Sequence, residues 1–310
     1  VSTALQPAGT PAALGTAPVP PERAASGDEQ ARSAPGRGFG FWRRARHSPS
    51  LIAGVVVTGI VVLVAVLAPV ISPYPPDAQD LYHVAAGFSW HHLLGTDEVG
   101  RDELSRILWA GRTDLRVGVL AVLFPSIFGT AMGTIAGYYG GVVDGVVMRI
   151  VDVLIAFPFY VLVIGLIFVV GTGTTGIYVG FAVVDWVIYA RTIRSATLVV
   201  RDSDYIAAAR VGGLPDRTIL WRHVLPNTVS QSIVYVMSDI ILVIVAIVTL
   251  GYLGLGIQPP TPDWGTMIAD GQQFVETQWT LATLPGVAVV ITGLGLSLLG
   301  DGLADVLRPQ

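Results

Sequence analysis

Six stretches of nearly pure hydrocarbon divide the chain. Leu51 to Ile71 is apolar apart from Thr58, and further runs cover about Val117–Gly137, Val147–Val170, Gly176–Ala190, Thr228–Leu250 and Leu281–Gly300. A helix needs about 20 apolar residues to cross a bilayer. Unpaired backbone polar groups are too costly in lipid for any structure but a helix or a closed barrel. These runs are uniformly apolar rather than alternating, so they predict helices. The fourth run is short and needs its flanks to complete the crossing. A secretory signal is the rival reading of the first run, but that run is long for a signal and leads into "SPYPPD" rather than a small-residue cleavage site. No internal repeat is visible.

The polar segments between the runs set the expected orientation, because arginine concentrates in cytoplasmic loops. Residues 1–50 carry six arginines against three acids, and 191–227 repeats that ratio. Loop 257–280 has Asp263, Asp270 and Glu276 but no arginine, as an external loop should. Segment 72–116 is assigned outside, although its seven acids stand with four arginines. The reading is an all-α polytopic membrane protein of six transmembrane helices with both termini cytoplasmic. Its parts are a disordered cytoplasmic tail (1–48, rich in Ala, Pro, Gly and Ser), a first membrane helix (49–71) and an extracytoplasmic loop (72–116). A membrane core (117–305) containing a cytoplasmic loop (191–227) and a cytoplasmic C-terminus (306–310) complete the chain.

Composition agrees: 52% of residues are apolar, 13% are charged and mean hydropathy is +0.65. There is no cysteine, which excludes disulfides and thiolate chemistry. All 18 cationic side chains are arginine, so Schiff-base lysine chemistry and the P-loop lysine are excluded too.

The segment "RDSDYIAAARVGGLPDRTILWRHVLPN", Arg201 to Asn227, is too organised for a connector. Ser203 or Asp202 caps a short helix through Ala207, Ala208 and Ala209. Gly212, Gly213 and Pro215 break it, and a second short helix runs from about Asp216 to Val224, stopped by Pro226. Two such helices are unstable alone in water, so they are expected to dock on a partner. Here a resemblance enters. Ala207-Ala208-Ala209, Gly213 and His223-Val224-Leu225-Pro226 fall in the register of the cytoplasmic "EAA" loop of permease subunits in binding-protein-dependent ABC importers. Ala207 stands where that family usually has glutamate, and His223 where a branched apolar residue is common. "HLLGTDEVGRDELSRILWAGR" (His92–Arg112), "AGYYGGVVDGVVMRIVDVLIAFP" (Ala136–Pro158), "LGLGIQPPTPDWGTMIADG" (Leu253–Gly271) and "LLGDGLADVLRP" (Leu298–Pro309) resemble blocks of dipeptide, oligopeptide and nickel permeases, of the C type. Ile247 departs from the family picture, which has a glutamate there.

The resemblance implies a MetI-like ABC permease core that binds no cofactor, with ATP and Mg on partner subunits. The implied partners are a second permease, two ABC ATPases, an extracytoplasmic binding protein, membrane lipid and a short-peptide cargo, with no nucleic acid. It places the chain in the bacterial inner membrane and makes it no enzyme itself. Ala207, Ala208, Ala209, Arg210, Gly213, Arg217, Arg222 and Pro226 become the expected ATPase-coupling residues. A nickel or metal-chelate importer is the alternative cargo reading. An ATP-independent secondary transporter is the alternative class, which predicts inverted repeats and broken helices.

Other signals are read from the residues. "GTGTTG" (Gly171–Gly176) matches a dinucleotide pattern, but it joins two membrane runs and reads as a tight external turn. His83, His91 and His92 share one loop, and their spacing alone does not converge them, so they read as solvated loop histidines rather than a metal site. Within the spans, Arg149 and Asp152 are expected to pair on one helix face. Asp185 and Asp239 have no evident partner in the chain; they face an aqueous pathway or meet arginine from another subunit. Thr228, Gln231, Tyr235 and Ser238 recur at helical spacing and form the candidate wall of that pathway.

Overall fold

Pro49, whose missing N–H costs nothing in a first turn, opens helix α1 (Pro49–Ile71), and the Ser48 side chain caps it at Leu51 N. The computed structural model describes residues 46–307; most of the expected tail and the last three residues lie outside that range. After α1 come α2 (Glu103–Tyr139), α3 (Gly141–Ile155), α4 (Phe159–Val170), α5 (Thr174–Val184), α6 (Trp186–Arg201), α7 (Asp204–Val211) and α8 (Asp216–Ile219). A π-helical turn (Leu220–Val224), α9 (Leu225–Tyr252), α10 (Trp264–Gln272) and α11 (Thr280–Leu307) follow. Among the described residues the only β pairing is an isolated bridge, Thr96 to Asp102.

Five of these helical stretches are long and apolar enough to cross a membrane unaided. The expected single span Val147–Val170 is instead two helices, α3 and α4, bent by 90° at Ala156–Pro158. Pro158 lacks the donor a continuing helix needs and crowds the residue before it, which ends α3. Neither piece, at roughly 22 and 18 Å, covers a ~30 Å hydrocarbon core alone.

The contacts fit a bent pair that leads from one face of the helix bundle to the other. Leu51 of α1 lies against Gly302 of α11, Gly54 against Leu299, and Thr58 against Gly295, so α1 and α11 run antiparallel. The start of α1 and the end of α11 therefore share one side. The end of α2 and the start of α3 lie on that side too, beside Arg201, whose guanidinium donates to the Gly137 carbonyl at 3.1 Å. The far end of α4 leads through Gly171 and Gly173 to Thr174, which shares a cavity with Trp109, Arg112 and Ile257 at the opposite face. Gly171 and Gly173, with φ of 113° and 98°, make the turn that the sequence predicts there. With the bent pair counted as one span, the described residues hold six candidate crossings.

Two helices outrun their apolar cores. α2 starts at Glu103, so residues 103–116 of the expected loop are helix. Asp102 makes this possible by accepting from Ser105 N at 2.8 Å, and the arginines of these turns do not oppose helix formation. α6 runs on past Ala190 to Arg201 because its polar face is occupied. Arg194 forms a two-pronged ion pair with Asp144, and Arg191 donates to Asp152 at 2.9 Å, both on α3. Asp152 thus pairs across to α6 rather than with Arg149 on its own helix.

Small residues hold α2 to α6. A methyl carbon added at Gly137 would lie 2.8 Å from Thr197 Cβ, and at Gly129 and Gly133 it would run into the Trp186 and Ala190 carbonyls. Glycines four apart let two membrane helices approach backbone to backbone. The main core then forms where α4, α5, α6 and α9 meet α2, around Phe181, Ile177, Tyr189, Ile247 and Leu250. Ile247 is completely buried there, in the setting of an apolar residue.

Candidate coupling elbow and buried polar cluster

The polar insert folds as an elbow at the end of α2. α7 begins after Ser203 in extended conformation with Asp204 in its first turn, yet the Ser203 hydroxyl turns back to the Val200 carbonyl at 2.5 Å instead of capping. Asp202 pairs with Arg201 at 3.0 Å and does not cap either. α7 ends at Gly212 and Gly213; Gly213 has φ of 78°, a conformation in which a side chain is strained. The second helix is not stopped by Pro226. α8 continues through the π turn into α9, with Leu225 N donating to Leu220 O, five residues back. Widening the helix for one turn accommodates the donor that Pro226 lacks, so the elbow is welded directly to a membrane span.

One face of the elbow is clamped. Ile206, Ile219, Leu220 and Val224 are buried together against Tyr138 of α2. The Tyr138 hydroxyl donates to Asp216 Oδ1 at 2.7 Å, and the Arg210 guanidinium lies 5.5 Å from the Tyr138 ring centre. The other face is open. Ala207, Ala208, Leu214 and Arg217 are exposed, Val211 is 91% exposed, and Ala209 is half-buried against the clamp. The elbow presents Ala207, Ala208, Val211 and Leu214 outward together with Arg217 and Trp221, while Ile206, Ile219, Leu220 and Val224 hold it to α2.

Within the membrane region, Asp185 at the α5–α6 junction and Asp239 of α9 face each other. Tyr189 donates its hydroxyl to Asp239 Oδ2 at 2.7 Å, and the Tyr235 ring stands edge-on to Tyr189 at 4.8 Å. Asp185, Asp239 and Tyr189 are each less than 5% exposed. The two aspartates thus find each other and a tyrosine, and neither forms an ion pair with an arginine among the described residues. A second buried link joins α9 to α2, Ser232 Oγ to Thr130 Oγ1 at 2.7 Å.

At the opposite face, Trp264 ties α10 to the start of α2. Its backbone N–H donates to Asp114 Oδ2 at 3.0 Å and its indole to the Ile107 carbonyl at 3.2 Å. Asp263 caps α10 by accepting from Thr266 N at 3.0 Å. Burial holds the Asp263 carboxyl above the ordinary range, partly offset by its bonds to Thr266.

Residues 129–310 match the family of binding-protein-dependent transport system inner membrane components, and residues 39–87 match the N-terminal membrane domain of oligopeptide transport permease C. The chain belongs to this permease family. The permease is 33% identical to a di/tripeptide transport system permease protein of Pseudomonas aeruginosa, over 87% of this chain and 91% of that one. It is 38% identical to the dipeptide transport system permease protein of Escherichia coli K12, covering 87% and 92%. A glutathione transport system permease protein from another strain of that species is also 38% identical, covering 87% and 89%.

Of the eight elbow residues of the permease, Ala207, Ala208, Arg210, Gly213, Arg217, Arg222 and Pro226 are exposed and Ala209 is half-buried. The stripe on α9 divides. Thr228 is buried and bonds back to the Leu225 carbonyl at 3.1 Å, Tyr235 turns inward, and Gln231 and Ser238 are exposed. Ser232 and Tyr189 were not singled out by spacing. The signal for Ser232 was its place four residues after Thr228 on one face, and for Tyr189 its place one turn after Asp185.

Proposed function

We propose that this chain is one of two membrane subunits of an ATP-driven importer of short peptides and that the elbow receives the motion of cytoplasmic ATPases. The open surface of Ala207, Ala208, Val211 and Leu214 carries this reading, because an apolar ledge clamped to two spans converts a push into helix movement. Closure of an ATPase dimer there would tilt α2 through Tyr138 and α9 through the π turn. ATP, Mg and hydrolysis belong to those partners, and a chain without lysine is suited to that division. Arginine-rich segments favour a cytoplasmic elbow, with loops 72–102 and 257–279 outside to meet a peptide-loaded binding protein. The names of the relatives, di/tripeptide, dipeptide and glutathione permeases, support small peptide-like cargo.

The exposed flank of α9 with Gln231 and Ser238 is the wall offered to the pathway shared with the second permease. The Asp185–Asp239–Tyr189 cluster is a brace within this subunit. Because the chain has no cysteine, a lone thiol is diagnostic. Ala208→Cys in the assembled complex should crosslink to an ATPase subunit and resist impermeant thiol reagents applied to intact cells. Labelling from outside would overturn the reading.

A further inference from the structure

The loop before α2 brings together side chains that are scattered in sequence. Asp80, His83 and His92 each offer one ligand atom, and these atoms all lie within 4.8 Å of one another. Their cavity also touches Tyr74 and Asp102. The convergence is built in. Asp80 N donates to the Gly100 carbonyl at 3.2 Å and His83 N to the Asp80 carbonyl at 3.0 Å, while Thr96 Oγ1 donates to the His83 carbonyl. The His92 and Tyr74 rings lie 4.9 Å apart, tilted by 32°.

The deciding feature is Asp102. Its Oδ1 lies 2.9 Å from His92 Nδ1, and its Oδ2 accepts from Ser105 N and Oγ. With Nδ1 of His92 engaged by Asp102, its other ring nitrogen, Nε2, is left for a ligand. A carboxylate behind an imidazole is the arrangement that orients metal-binding histidines and raises their basicity. His83 Nδ1 sits 2.7 Å from Asp80 Oδ2, and a cation between them would replace the shared proton.

We propose that Asp80, His83 and His92 bind a divalent transition cation of the zinc class, with Asp102 as the positioning residue behind His92. Two imidazoles and one carboxylate suit such a cation and leave a fourth position open. Bonds of about 2.0–2.2 Å set ligand atoms roughly 3.4 Å apart, so the more distant donors must draw closer while His83 and Asp80 part slightly. The His83 side chain, 61% exposed, is free to make that movement. A cation held here clasps the outer loop to the capped start of α2. His91, next in sequence to His92, is exposed and stands outside the cluster.

The test uses the permease complex carrying an affinity tag free of histidine, titrated with Zn²⁺ against a chromophoric chelator and with Co²⁺ by visible absorption. One cation per complex should be lost in His83→Ala and in His92→Gln and kept in His91→Ala. Asp102→Asn, in which the amide still caps α2, should weaken binding about 10–100-fold without abolishing it. The exposed position of His83 keeps folding out of the comparison. Absence of saturable Zn²⁺ binding by the wild type, or equal binding by His83→Ala, overturns the proposal.

Discussion

Ile206 is the one side chain that α7 buries, and it is completely enclosed between Tyr138, Ile219, Leu220 and Val224. Ile206→Ala removes three carbons from that enclosure while leaving the outward surface of Ala207, Ala208 and Val211 unchanged. At ~0.8 kcal/mol for each buried methylene the lost transfer energy alone is about 2.4 kcal/mol. The residual cavity adds to this, toward an upper end of about 5 kcal/mol. The transfer energy of about 2.4 kcal/mol alone shifts the balance between clamped and released elbow roughly fiftyfold. The ATPases would still find their ledge, but a push on it would be absorbed by movement of α7 against α2. Hydrogen exchange of amides 204–211 in lipid nanodiscs should accelerate by that factor. In proteoliposomes, ATP hydrolysis should persist while peptide taken up per ATP falls several-fold. Unchanged exchange together with an unchanged uptake-to-hydrolysis ratio would refute the claim that this clamp transmits force.

Other consequences concern packing and charge. Gly133→Val drives a branched side chain into the Ala190 backbone, so α2 and α6 must separate; the variant should lose its cooperative thermal transition in detergent, whereas Gly145→Ala, with nothing near its Cβ position, should not. Tyr189→Phe removes one hydrogen bond from buried Asp239, at a cost of about 1–3 kcal/mol, read as a lower unfolding midpoint. Asp270, outside the spans, has its pKa raised from 3.8, first by burial and against the pull of Arg106 and Arg101. The folded state then holds more protons between the unfolded and folded pKa values, so stability falls as pH rises through that window. Asp270→Asn should therefore be the more stable protein at neutral pH, with the difference closing on acidification below 3.8. An Asn variant that is less stable at neutral pH would show that the arginine contacts dominate.

Much of this architecture is written locally. Lipid forces each apolar run to be a helix, so the runs were legible, and Gly212-Gly213-Leu214-Pro215 marks the bend of the elbow in residues whose backbone limits are intrinsic. What escaped the sequence is directional or long-range. Pro158 announces a break but not a 90° turn, because an apolar run records burial and not heading. Pro226 looks like a stop, and only the π turn behind it lets the helix continue. The partners of Asp144 and Asp152 sit on α6, and the partner of Asp185 on α9. No helical period within one segment relates such residues; the close approach of α2 and α6 and the antiparallel run of the helices bring them together. The stripe on α9 was visible as a period, but which of its edges faces inward depends on where α2 and α6 lie.

The account rests on ATPases engaging the open face of the elbow. Gly213→Trp addresses it most directly. Nothing lies within 4 Å of a Cβ at this glycine, so the buried clamp is spared, while a tryptophan at a φ of 78° strains the bend and projects from the outward face. Co-purification of the ATPases with the variant, measured beside ATP-driven uptake, should show both lost while the two permeases stay together. Retention of the ATPases with wild-type uptake would contradict the account.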